Sequence, residues 1–217
     1  MASLDLDGPA GRLEALLEGP ATARFAAVVC HPHPLLGGTM HNHATYRLAR
    51  AARAAGGRTL RFNFRGVGRS AGRHDGGPGE ALDAAAALAW LARLDPATPR
   101  LACGFSFGAL AAVGAAATDP GARGLLLAGL AVRPPPGMVR DLGPLRATPL
   151  PAEVIQADGD AFGSPEEVRG ALSGSAGPRR VTAVAGATHL FVEALDELER
   201  AARRAFDWLL AGGADQA

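Results

Sequence analysis

The sequence predicts an α/β fold: a mostly parallel central sheet with helices on both faces and no cap domain. Two observations carry that expectation. Short apolar runs alternate with longer helical patterns along the chain, as repeated strand–helix–strand units do. Most of the apolar runs are continuous rather than alternating, which suits strands buried on both faces. A length of 217 residues fits one domain spanning 1–217.

Taken in order, residues 11–18 fit an edge strand or a short helix equally well. Runs at 24–30, 59–64, 100–104, 124–131, 152–157 and 180–184 read as strands. Helical patterns lie between them at 43–55, 79–94, 107–117, 165–172 and 191–210. Gly56 and Gly57 follow the first helix, where a left-handed C-cap belongs. Glu80 and Asp83 sit in the first turn of the second, where acids complement the helix dipole. The proline-rich segment 132–151 is too short for a cap domain and reads as a surface loop.

Composition narrows the function classes. Hydrophobic residues are 48%, charged residues 20% and the net charge is +1, an ordinary globular balance that gives no electrostatic reason to expect nucleic acid or an anionic membrane as partner. The amino terminus has no basic stretch followed by an apolar one, and no apolar run is long enough to span a bilayer, so the expected location is the cytoplasm. Cys30 and Cys103 are too few for a disulfide framework and are expected reduced, side by side in the core. Every basic residue is Arg, which excludes a phosphate-binding P-loop because that motif requires Lys. Gly66-x-Gly68 fails as a dinucleotide fingerprint: the third glycine is missing, with Ala71 in that region, and no acid stands about 20 residues on.

Chemistry concentrates around Gly104-Phe105-Ser106-Phe107-Gly108, a G-x-S-x-G pentapeptide preceded by an apolar strand and followed by an Ala-rich helix. That context makes Ser106 the expected nucleophile on a strained turn, with glycines where helix and strand pack too closely for a Cβ. The structural alternative is a Ser that merely caps the next helix. A Ser hydroxyl needs a base, and His189 lies just past the last strand, on the sheet edge that carries Ser106. The base needs an acid to fix its tautomer; Asp158 and Asp160 both follow the 152–157 strand, and Asp160, further into the loop, is preferred. The chain order Ser, Asp, His is that of the α/β-hydrolase fold.

An oxyanion needs two backbone N–H donors. Phe107, next after the nucleophile, supplies one. The other comes from the loop Cys30-His31-Pro32-His33-Pro34-Leu35-Leu36-Gly37-Gly38-Thr39-Met40, where Pro32 and Pro34 have no N–H; His33 is the first choice and Leu35 the second. His-Pro-His-Pro-x-x-Gly-Gly-Thr-Met, then Arg61-Phe62-Asn63-Phe64-Arg65-Gly66-Val67-Gly68-Arg69-Ser70, then the elbow, resemble small lidless bacterial α/β-hydrolases near the dienelactone hydrolase-like branch. The likeness covers nearly the whole chain. It implies an α/β-hydrolase fold and a triad of Ser106, Asp160 and His189. The chain departs from true dienelactone hydrolases, whose nucleophile is Cys, so the resemblance implies esterase-type acyl hydrolysis rather than their lactone chemistry.

The expected activity is hydrolysis of carboxylic esters or thioesters of small acyl substrates, with no metal or organic cofactor. Phe105, Phe107, Leu35, Leu36, Met40, Phe162 and Phe191 could line an acyl pocket or belong to the core. His74, Asp75 and Glu80 could line the pocket or cap the following helix. Competing readings are a non-catalytic binding module on a hydrolase fold, and a metal-dependent hydrolase using His31, His33, His41 and His43, which the intervening prolines and glycines and the lack of a nearby acid disfavour.

Overall fold

A computed structural model describes residues 2–134 and 140–214. Eight strands form one sheet in the order β1-β2-β4-β3-β5-β6-β7-β8. The strands are β1 (Ala2–Gly8), β2 (Gly11–Glu18), β3 (Phe25–Cys30), β4 (Gly57–Phe62), β5 (Arg100–Phe105), β6 (Ala122–Ala128), β7 (Ala152–Ala157) and β8 (Arg179–Val184). The helices are α1 (His43–Ala54), α2 (Pro78–Leu94), α3 (Phe107–Ala116), α4 (Gly143–Ala147), α5 (Pro165–Ala171) and α6 (Leu195–Leu210).

From β4 to β8 every pairing is parallel, while β1, β2 and β4 pair antiparallel. The central strands β3, β5 and β7 are buried at every position, as their unbroken apolar runs require. The helices divide between the two faces. One core gathers residues of α2, α3, α4 and α5 against the sheet, and the other gathers residues of α1 and α6. The α6 pattern is amphipathic, burying Leu198, Ala201, Ala202, Ala205, Phe206 and Leu209 at helical spacing. Helix α3 is apolar all round because it lies between the sheet and α2.

Several expectations are corrected. Residues 11–18 are a strand, β2, and it pairs with a further strand, β1, that the sequence reading does not anticipate. Of β1 only Leu6 is buried, so it lacks the apolar run that marked the other strands. Strand β4 ends at Phe62 and β6 at Ala128, short of 64 and 131. Helix α6 begins at Leu195, not 191, because Phe191 has φ 56°, outside the helical region. The segment 132–151 is not all loop: Leu145 anchors the short helix α4 in the core. Its residues 135–139 lie outside the described residues. Cys30 and Cys103 stand on adjacent strands but not side by side. Cys30 pairs with Gly104 and Val29 with Cys103, so the two sulfurs fall in opposite cores. Among the described residues no helix is long and apolar enough to cross a membrane.

Candidate active site

Parallel pairing puts the carboxyl ends of β3, β5, β7 and β8 on one edge, and the loops that leave them build the site. Strand β5 ends at Phe105 and α3 starts at Phe107, so the reversal falls on Ser106 alone, at φ 55° and ψ −117°. A non-glycine residue there stores backbone strain, of order 1–3 kcal/mol. Glycine on both sides makes the turn possible. A Cβ on Gly104 would stand 2.1 Å from the Gly108 carbonyl oxygen, and one on Gly108 would stand 2.4 Å from the His31 carbonyl oxygen.

His189, five residues beyond β8, brings Nε2 to 2.9 Å from Ser106 Oγ, and its Nδ1 lies 2.8 Å from Asp160 Oδ2. A carboxylate only accepts, so Nδ1 carries the proton and Nε2 presents its lone pair to the hydroxyl. Phe162 packs edge-on against the imidazole at 4.7 Å between centroids, and Phe105 flanks it at 5.5 Å. Of the two candidate acids the structure brings in Asp160. Asp158 instead accepts a hydrogen bond from the Gly186 N–H and bridges the two loops.

Asp160 is buried and fully engaged. Its Oδ1 accepts from the Phe162 N–H, and its Oδ2 accepts from Gln156 Nε2 as well as from His189. Gln156, itself completely buried in β7, also donates to the Gly163 carbonyl and accepts from the Leu130 N–H. One amide thus fixes the acid and ties it to the loops after β6 and β7. No motif points to Gln156. Its signal is only that an amide interrupts the apolar strand Ala-Glu-Val-Ile-Gln-Ala four residues before the acid, where burial obliges it to find partners.

The loop after β3 is pinned from below by His31. Its Nε2 accepts from the Phe64 N–H at 3.1 Å and its Nδ1 donates to the Pro32 carbonyl at 2.7 Å. Burial pushes its pKa down to about 4, so it serves as a neutral strut. His33 caps the short 3₁₀ turn Pro34–Leu36, its Nδ1 accepting from the Leu35 N–H at 3.2 Å. That bond occupies the second-choice oxyanion donor. The N–H groups of His33 and Phe107 have no acceptor among the described residues. The four histidines of this segment go separate ways, since His43 opens α1 and His41 is exposed. Among the described residues no three His, Cys, Asp or Glu side chains converge as metal ligands would.

The turn after β4 is structural. Arg65 grips Asp83 of α2 with its backbone N–H and two guanidinium nitrogens. Glu80 caps α2 by accepting from the Asp75 and Gly77 N–H groups and from His74 Nδ1. Asp75 accepts from the Gly79 N–H. These acids cap the helix, while His74 also faces a cavity.

Two chambers open at this edge. One, of about 620 Å³, is lined by Ser106, His189, Phe105, Phe162 and Leu36. The other, of about 740 Å³, lies on the Phe107 side and is lined by Leu35, His74, Phe107 and Leu110. His33 and Arg140 line both. Met40 and Phe191 are core residues and line neither. Arg140 lies 6.0 Å from the Phe107 ring centroid, and burial lowers its pKa.

A family profile described as X-Pro dipeptidyl-peptidase (S15 family) matches residues 11–132, more than half of the chain. An uncharacterized protein of Rickettsia prowazekii is 38% identical over 174 residues, 78% of this chain and 71% of that protein. Among solved structures, an α/β serine hydrolase homologue from Coxiella burnetii superposes with a TM-score of 0.85 at 32% identity, covering 94% of this chain and 96% of its own. An α/β serine hydrolase without lid from Xanthomonas campestris gives 0.82 at 32% identity, covering 99% of this chain and 96% of its own. The chain is an α/β hydrolase of the serine type. It belongs to the S15 peptidase family of that fold, with lidless serine hydrolases as structural neighbours.

Proposed function

We propose that the protein hydrolyses carboxylic esters or thioesters of small acyl substrates through a Ser106–His189–Asp160 triad. The observation that carries this is the unbroken chain of contacts from Asp160 Oδ2 through both imidazole nitrogens to Ser106 Oγ, at 2.8 and 2.9 Å. His189 Nε2 takes the Ser106 proton as Oγ attacks the acyl carbon. The N–H groups of Phe107 and His33 receive the oxyanion. The imidazolium, stabilised by Asp160, then protonates the leaving alcohol or thiol. Water repeats the sequence on the acyl-enzyme, and proton return to Ser106 closes the cycle. No cofactor enters any step.

The family description raises amide cleavage after an X-Pro dipeptide as a second reading. Such a substrate carries an ammonium group close to the scissile bond. Among the described residues, the lining of the chamber at Ser106 offers no carboxylate to meet it; its charged member is Arg140. Ester cleavage is therefore preferred.

A panel of p-nitrophenyl esters, acyl-CoA thioesters and an X-Pro p-nitroanilide, run on wild type and Ser106→Ala, tests both. The expected result is ester or thioester turnover that falls at least about 10³-fold in kcat in the variant, together with fluorophosphonate labelling of Ser106. Near-wild-type turnover by Ser106→Ala, or a folded protein that the probe leaves unmodified, refutes the proposal.

A further inference from the structure

Arg140 lacks what a partly buried guanidinium normally has. Its Nε is inaccessible to water and makes no hydrogen bond among the described residues, and no ion pair joins it to an acid there. Arg65 grips Asp83, Arg100 grips Asp119 and Arg61 grips Glu18, while Arg179, whose Nε is likewise unbonded, donates its other nitrogens to the Leu145, Thr148 and Leu150 carbonyls. Residues 135–139, which precede Arg140 in sequence, read Pro-Pro-Gly-Met-Val and contain no acid. Among the described residues the one carboxylate lining the chambers beside it, Asp141, is turned to its own loop and accepts from the Gly143 N–H. A cation taken out of water without a counter-charge is costly, and a planar guanidinium is matched best by a carboxylate. Arg140 stands where both chambers meet, in a wall otherwise mostly of apolar and aromatic side chains.

We infer that Arg140 is a specificity residue that pairs with a carboxylate on the substrate, so that the preferred esters are those of acyl groups bearing an anionic end, such as half-esters of short dicarboxylic acids. This rests on the hydrolase reading of the Ser106 site. Arg140 takes no part in bond breaking; it seats the anion while Ser106 attacks the distal ester carbonyl. A methyl group in place of that carboxylate leaves the guanidinium unpaired in the complex, which is a source of discrimination rather than mere lost contact.

The test compares two esters with the same five-carbon acyl skeleton, mono-p-nitrophenyl glutarate and p-nitrophenyl valerate, on wild type, Arg140→Gln and Ser106→Ala. The readout is the ratio of kcat/KM for the glutarate ester to that for the valerate ester, so a variant that simply folds poorly lowers both terms and leaves the ratio in place. The expected result is a ratio at least fivefold lower in Arg140→Gln than in wild type. A smaller change overturns the inference. If Ser106→Ala still turns over the valerate ester, the hydrolase reading has failed instead. If Ser106→Ala is inactive on both esters and Arg140→Gln keeps the wild-type ratio, only the inference about Arg140 has failed.

Discussion

Among the described residues, two buried acids each hold a histidine at nearly the same distance. Asp160 lies 2.8 Å from His189 Nδ1, and Glu80 lies 2.7 Å from His74 Nδ1. Both acids are deep in the protein and both accept from backbone N–H groups. They part at the other ring nitrogen. His189 Nε2 meets the hydroxyl of a serine held on a strained turn, while no hydroxyl bonds to His74 among the described residues. The rest of the Glu80 carboxylate is spent on the first turn of α2. An acid–histidine contact is therefore a common way to satisfy a buried carboxylate. It becomes proposed machinery only where topology delivers a nucleophile to the far side of the ring.

Neutralising each acid in turn separates the two pairs. Asp160→Asn is expected to lower kcat by about 10³- to 10⁴-fold with the fold intact, because the amide favours the wrong imidazole tautomer; steady-state kinetics on any accepted ester measure it. A third histidine, His31, has no acid at all and shows what burial alone does. Its folded pKa of about 4 lies below the unfolded value near 6.5, so the unfolded chain binds the extra proton first. Stability is full above about pH 6.5 and falls as the pH drops towards 4, by up to about 3 kcal/mol. Urea unfolding at pH 7 and pH 4.5 should show that part of the acid loss absent in His31→Gln. Gln156→Leu removes a bond to the Asp160 carboxylate, and kcat is expected to fall about 10- to 100-fold, the worth of one hydrogen bond to a charge. Should it behave as wild type, the acid is held by its other donors alone. The smallest catalytic effect belongs to Glu80→Ala. It costs about 1–2 kcal/mol in chemical denaturation through the lost cap, while kcat/KM changes less than about threefold. A loss as large as that of Asp160→Asn would make the two pairs functional equals.

Much of the site was legible in the sequence because each member follows its strand by a short step on the same edge. Ser106 directly follows β5, Asp160 lies three residues beyond β7 and His189 five beyond β8. A continuous apolar run announces such a strand, and the parallel order then places its loop. Depth into the loop is the one sequence criterion between Asp158 and Asp160, and it is Asp160 that the structure sets against His189 Nδ1. What escaped lacks periodic signal. Strand β1 buries too little to show a pattern and is recruited by the edge of β2. Helix α4 is only five residues long and sits in a proline-rich stretch. Strand adjacency alone sets Cys30 and Cys103 close together, but strand parity sends them to opposite faces. Gln156 reaches Leu130 and His31 reaches Phe64, contacts distant in sequence that no spacing rule encodes.

The missing Cβ of Gly108 has a consequence for how this protein can change. The backbone carbonyls of Cys30 and His31 press on that position, so the first turn of α3 and the end of β3 are in contact main chain to main chain. The two amides proposed to receive the oxyanion, Phe107 and His33, lie in that first turn and three residues past the end of that strand. Their separation is accordingly a property of the backbone, insulated from drift in neighbouring side chains. The exposed rim is not so constrained: Leu35, Leu36 and Leu190 are open to water. Selection can rewrite which molecules are admitted while leaving the attacking geometry untouched, a division between inherited reactivity and negotiable taste that a single absent methyl group maintains.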